Sequence, residues 1–163
     1  MSAPNYFMDR LEKLRDLAVT WPEFVPKSGT FTRIEIFPDD TGRGLGPAEL
    51  PALCFSPGEE ILSPYSTARS EMTMVVKVSV FAYVNPNGKP ADETRQALDR
   101  IAKVNRFLFS KKRVEGFWWR IEPSGGEFLH WTYTALSDSE TGKTAIRVSA
   151  DLRLAVAKLD LTA

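Results

Sequence analysis

Lys143 and Thr144 follow Gly142, as they do at the end of a phosphate-binding loop. Such a loop also needs a glycine five residues earlier, and Ser137 stands there. It further needs a strand before it and a helix after it, whereas residues 137–143 have the composition of a hairpin turn. We therefore interpret this segment as a turn rather than a nucleotide site.

Asp40, Thr41 and Gly42 match the triplet of aspartic proteases. In that chemistry two aspartates share a proton, each at the end of an apolar strand. Pro38 and Asp39 occupy the positions where apolar residues are expected. Asp-Asp-Thr-Gly is also common turn sequence, and a turn is the better interpretation.

His130 and Cys54 are the one histidine and the one cysteine of the chain. Together they cannot provide a zinc site of the usual kind, and one cysteine cannot form an intramolecular disulfide. Cys54 lies in an apolar run and is expected to be a small buried hydrophobe, and a lone strand histidine is usually packed or surface-exposed. The sequence thus predicts no catalytic residue, no cofactor and no metal, and a protein that is not an enzyme.

Residues 107–120 combine aromatic and basic side chains. This set allows three interpretations: packing around a helix end, a protein interface, or stacking with single-stranded nucleic acid. If Trp118 and Trp119 lie in a strand, their side chains must point to opposite faces. The members of the set are Phe107, Phe109, Lys111, Lys112, Arg113, Phe117, Trp118, Trp119 and Arg120.

The composition limits the class of protein. The chain has 163 residues, with 21 basic and 21 acidic side chains, and a pI near 6.6. This length fits one domain over residues 1–163, and zero net charge argues against a protein built to hold nucleic acid or a membrane surface. We see no signal peptide and no apolar run long enough to span a bilayer, so we expect a soluble protein of the reducing cytosol.

The periodicity predicts an α+β fold, a mostly antiparallel sheet with two helices packed on one face. The helices are expected at residues 5–19 and 90–109, the second with an apolar seam that includes Leu98, Ile101 and Ala102. Strands are expected at residues 31–37, 50–55, 72–84, 117–122, 128–136 and 146–156.

Two features indicate assembly with other subunits. Nine of the 29 residues from 38 to 66 are Gly or Pro, which predicts a long, irregular partner-binding loop. Residues 72–84 form a strand of roughly 43 Å with apolar residues on both faces, against a domain diameter of about 40 Å, and such a strand needs a cover. The candidate interface residues are Trp118, Trp119, Arg120, Arg43, Leu45, Phe81 and Tyr83.

In this order of elements the chain resembles the tail terminator (tail-completion) proteins of long-tailed bacteriophages. The resemblance is carried by layout: the helix at residues 7–18, the strand at 50–55 followed by Gly58, and the long strand at 72–84. The helix at 90–109 with its basic end and the last strand at 146–156 complete it.

The resemblance implies a hexameric ring that caps the tail tube and docks to the head connector. Its action would be steric, its place would be the tail or neck of a virion assembled in the host cytoplasm, and it has no catalytic residues to transfer. Two alternatives stay open: another tail component such as a tube or baseplate subunit, or a small cytosolic ligand-binding domain or enzyme. If the tryptophans form the interface, Trp118→Ala or Trp119→Ala should weaken assembly more than folding.

Overall fold

The computed structural model describes residues 6–24, 30–39, 41–42, 45–61, 72–83, 88–118, 120–123, 131–137 and 144–156. Two helices and six strands follow one another along these residues. They are α1 (Tyr6–Val19), β1 (Arg33–Ile36), β2 (Ala52–Ile61), β3 (Met72–Tyr83), α2 (Pro90–Ser110), β4 (Arg120–Pro123), β5 (Trp131–Ser137) and β6 (Thr144–Val156). A short 3₁₀ helix, Pro47–Glu49, precedes β2.

The strands form one sheet in the order β1-β2-β3-β6-β4, and β5 also pairs with β6. β1 runs parallel to β2, and the other strand pairings among the described residues are antiparallel. The predicted α+β class is confirmed. The sheet is mixed rather than simply antiparallel because β1 joins it through a parallel pairing.

The two longest strands lie side by side at the centre of the sheet. β3 pairs with β6 over twelve residues, from Met72 opposite Val156 to Tyr83 opposite Ala145. The second edge of β6 is shared between two short strands, because β5 pairs with residues 144–150 and β4 with residues 152–155. The predicted long strand is confirmed, but it is a central strand and not a projecting one.

One face of this sheet, which we call the inner face, packs against both helices. Alternate residues of three strands point to it, as strand geometry requires: Leu53, Phe55, Met74, Val76, Val78, Val80, Leu152 and Leu154. They form one buried cluster with Leu11, Leu14 and Ala18 of α1 and with Val104, Phe107 and Leu108 of α2.

The sequence explains the two helices in different ways. In α1 the buried Leu11, Leu14 and Ala18 recur at spacings of three and four, as predicted. α2 begins with Pro90 at its first position and Asp92 in its first turn, both of which favour a helix start. Arg10 of α1 is buried despite its charge, and its Nε donates a hydrogen bond to the carbonyl oxygen of Phe117 at 3.1 Å.

The strand predicted at residues 50–55 continues further in the structure, so the expectation of an irregular segment at residues 38–66 is wrong at residues 56–61. β2 runs from Ala52 to Ile61 and crosses the Pro57-Gly58 pair, with a change of register between Pro57 and Ile61. A Cβ at position 58 would lie 2.4 Å from a Val75 methyl, so the glycine lets the two strands approach where a larger residue could not. Residues 62–66 lie outside the described residues.

Candidate interface surfaces

The structure places Trp118 in the core. It is 1 % exposed, belongs to the inner-face cluster, and donates a hydrogen bond from Nε1 to the carbonyl oxygen of Lys111 at 2.8 Å. It precedes β4 and is held in a turn by a bridge to Val114, so strand alternation does not set its direction. The expectation of a surface tryptophan is wrong at this position.

The remaining predicted interface residues differ in where the described part of the chain places them. Phe81 is 3 % exposed and Leu45 packs against it half-buried, while Tyr83, also half-buried, ends β3. Arg120 begins β4, opposite Ala155 of β6. Arg43 and Trp119 lie outside the described residues, as do Asp40, His130, Gly142 and Lys143.

The second face of the sheet, the outer face, is covered from within the chain along part of β2 and β3. Ala52, Cys54 and Phe81 form a small buried cluster there, and Phe37, Leu45 and Leu50 pack onto it. The segment 37–50 is therefore a cover for β2 and β3. The expectation that this face of the long strand needs a partner is wrong at Phe81, Val75 and Ser79, which are all buried.

Polar contacts hold the cover segment in place. Asp39 accepts hydrogen bonds from the backbone N–H and the hydroxyl of Thr41, which makes a turn and matches the turn interpretation of the Asp-Thr-Gly triplet. Glu49 accepts a hydrogen bond from the Gly46 N–H at 2.6 Å and forms an ion pair with Arg33 of β1. The hydrogen bond from Gly46, together with the nearby Arg33, lowers the pKa of Glu49.

Burial makes the Cys54 thiol unreactive as a nucleophile. Burial raises the pKa of its thiol to about 12, so the thiolate that would act as a nucleophile is scarcely formed near neutral pH. This agrees with the prediction of a small buried hydrophobe. Among the described residues, no group of three or more His, Cys, Asp and Glu side chains is arranged to hold a metal ion.

Four members of the aromatic and basic cluster at residues 107–120 make contacts inside the molecule: Phe107, Lys111, Phe117 and Trp118. Lys111 lies over the ring of Trp21 at 5.5 Å, and Lys13 of α1 lies over the ring of Phe117 at 5.0 Å. Phe107 is fully buried. Of the three interpretations that the sequence left open, packing around the end of α2 describes these contacts.

The outward side of α2 was not among the predicted surfaces. Its predicted apolar seam is wrong at Leu98 and Ala102, which are exposed, while Ile101, Val104 and Leu108 are buried as expected. Leu98 is 53 % and Phe109 45 % exposed, two of the four large hydrophobic side chains that are exposed in the described part of the chain. A helical projection of residues 90–110 does not separate these residues, because Leu98 and Ile101 are turned only about 60° apart, within the width of one apolar face.

No helix in the described part of the chain combines the length and the apolar character that a bilayer span requires.

Comparisons with known proteins add little to this description. No family model matches the chain, and no curated protein matches it. Among solved structures, it is similar to a chain of the virion of the native gene transfer agent particle, with 15 % sequence identity and a TM-score of 0.42. That similarity covers 91 % of this chain and 90 % of the other.

Proposed function

We propose that this protein is a structural subunit of a phage-type virion, and specifically a ring-forming tail terminator that caps the tail tube and docks to the head connector. The order of helices and strands along the chain, which carried the resemblance, is the first support. α1, β2, β3, α2 and β6 occupy the places that the layout implies, with both helices in one core on the inner face.

The observation that carries the proposal is a sheet with two unlike edges. One edge is β1, a strand of four residues that runs parallel to its neighbour. The opposite edge consists of β4 and β5 in succession along β6. Within the described ranges no further strand pairs with either edge.

Two unlike surfaces on opposite sides of a subunit suit head-to-tail contact. Such a contact is heterologous, and it produces a closed ring when the rotation between neighbours divides a full turn. Sheet edges also present unpaired backbone N–H and C=O groups, which a neighbouring strand can satisfy. In this proposal the ring covers the growing end of the tube, so it acts by blocking addition of tube subunits and by presenting a docking surface, without chemistry.

Native mass spectrometry of the purified chain, alone and with tail-tube protein, is the direct test. A closed ring of six copies, at six times 18.3 kDa, that halts tube growth at substoichiometric amounts is expected. Open polymers of the chain would instead identify a tube-like subunit. A species that never exceeds two copies and leaves tube growth unchanged would refute the proposal.

A further inference from the structure

The first half of α2 contributes no buried residue to the core. All four of its buried residues, Ile101, Val104, Phe107 and Leu108, lie in its second half, and none of residues 90–100 is buried. Helices in proteins gain most of their stability from packing one face against a neighbour. The first half of this 21-residue helix therefore lacks the contact that normally holds a helix of this kind.

A second regular pattern runs along the outside of α2. Its members, which we call the outward stripe, follow one another at alternating spacings of four and three residues, the spacing of a coiled-coil seam. They are Ala91, Arg95, Leu98, Ala102, Asn105 and Phe109. All are exposed except Asn105, which is half-buried. Lys112 lies over the Phe109 ring at 4.9 Å and leaves that ring 45 % exposed.

We infer that the outward stripe binds the same stripe of a second copy of this chain, with the two α2 helices antiparallel. The stripe is symmetric in sequence about position 100. An antiparallel pair centred there sets Leu98 against Ala102 of the second copy, and Phe109 against Ala91 of the second copy. Each large side chain thus meets a small one, which is how facing helices interdigitate without voids.

The charges beside the stripe select the same orientation. Asp92, Asp99 and Arg106 are spaced seven residues apart within α2 and so line one side of the stripe. In the antiparallel pair centred on position 100, Asp92 of each helix lies about 3 Å along the axis from Arg106 of the other, while the two copies of Asp99 lie near the two-fold axis. In a parallel pair the charged side of one helix would face the opposite flank of the other, so the contact between Asp92 and Arg106 would be lost.

Two of these side chains already form ion pairs within the chain. Arg106 contacts Glu23 at 2.8 Å, with their side chains 61 % and 36 % exposed, and Asp92 contacts Arg95 at 3.6 Å. Ion pairs with this exposure contribute little to stability. They can be shared with, or exchanged for, charges of the second copy at small cost.

This contact goes beyond the proposed function and does not depend on it. It is isologous, so two copies saturate it, whereas a ring needs a heterologous contact at a different surface. A ring that also carried the α2 contact would be joined by it to a second ring. The dimer and the ring can therefore succeed or fail separately.

Site-directed crosslinking tests both the contact and its direction. Position 99 lies near the two-fold axis, so Asp99→Cys should crosslink to its own copy with a bismaleimide that spans roughly 10 Å, the distance between packed helix axes. Asp92→Cys should not, because an antiparallel pair separates the two copies of position 92 by about 24 Å along the axis. Cys54 stays silent because it is buried. Crosslinking at both positions would indicate a parallel pair, and crosslinking at neither would overturn the inference.

Sedimentation equilibrium of surface variants provides the second test. Leu98→Glu should abolish the dimer at concentrations where the unaltered chain is dimeric. Val19→Glu, at a residue 44 % exposed on α1, is the matched control and should leave it intact. Asp92→Arg should weaken dimerisation about tenfold, and adding Arg106→Asp should restore it.

A monomer at every concentration, or equal losses from Leu98→Glu and Val19→Glu, would overturn the inference. The ring test separates it from the proposed function. Leu98→Glu is expected to leave single rings and their effect on tube growth unchanged. Circular dichroism on each variant confirms that the helices remain folded.

Discussion

The two faces of β3 are buried by different means. The inner face meets two helices and contains large side chains in continuous contact, from Met74 to Val80 on alternate positions. The outer face meets the segment 37–50 and keeps a small cluster around Phe81, with the hydroxyl of Ser79 buried beside it. A helical layer contributes much apolar area, whereas a loop contributes a few anchoring contacts, so the two faces should differ in what their loss costs.

The largest expected effect is on the inner face. Trp118→Ala removes a fully buried indole and its hydrogen bond to Lys111, and it should lower the free energy of unfolding by about 3–5 kcal/mol. Trp118→Phe, which keeps an aromatic ring but loses the donor, should cost less. Urea denaturation measures both. A variant Trp118→Ala that folds as stably as the parent but fails to assemble would restore the interface interpretation that burial now contradicts.

The next effect concerns the outer face. Gly42 has a φ of +74°, and a Cβ there would lie 2.7 Å from the Phe81 ring. Gly42→Ala should therefore combine backbone strain with a steric conflict, at about 2–4 kcal/mol in total. Gly116→Ala is the matched control, because Gly116 has a φ of +82° with nothing within 4 Å of its Cβ, and it should cost only about 1–2 kcal/mol.

The alkylation rate of the Cys54 thiol shows whether the outer face of the sheet has become exposed. Cys54 lies beneath the segment 37–50 and is 2 % exposed, so Gly42→Ala should raise its rate of alkylation in the folded protein. Trp118→Ala should raise that rate only in proportion to global unfolding. If the alkylation rate rose in proportion to global unfolding in both variants, the two faces would open together and would not differ in stability.

Ser79→Ala is expected to have a smaller effect of the opposite sign. The Ser79 Oγ is buried and, within the described residues, has no hydrogen-bond partner. Removing an unsatisfied hydroxyl from an apolar site is neutral or stabilising by up to about 1 kcal/mol. Thr30→Ala, at a buried residue whose hydroxyl accepts a hydrogen bond from Lys103, is the control and should destabilise. A loss of stability in Ser79→Ala would reveal a partner for its hydroxyl.

Sequence periodicity predicted the parts of this fold that repeat regularly. α1, α2, β3 and β6 were all located within a few residues, because each is long and has a strong hydrophobic period. It did not predict which side of α2 meets the core, since Leu98 and Ile101 are both apolar and only the packing of the second half distinguishes them.

The candidate site was harder to predict because exposure is a tertiary property. Trp118 and Phe81 are residue types that interfaces favour, but the same types fill cores, and here both are buried. Residues 38–66 were singled out as an irregular partner-binding loop, whereas their first part belongs to the segment 37–50, which packs on the outer face. The role of this segment as an internal cover depends on the turn at Asp39 and on the contacts with Phe81. The contacts with Phe81 join residues about 40 positions apart in the sequence and leave no local signal.

The smallest expected effect concerns the polar contacts of Glu49, which hold the segment 37–50 to β1. The pKa of Glu49 is lowered, first by the hydrogen bond from Gly46 and then by Arg33, so its carboxylate is favoured in the folded state. A carboxyl group with a lowered pKa contributes stability that is present above its unfolded pKa and is lost as the pH falls through the folded one. The stability gap between the parent and Glu49→Gln should therefore be small at pH 7 and should close below about pH 4. Glu115→Gln, at an exposed residue after α2, is the control. A gap that persists undiminished at pH 2 would mean that Glu49 acts through packing and hydrogen bonding alone, and that its charge does not hold the cover to β1.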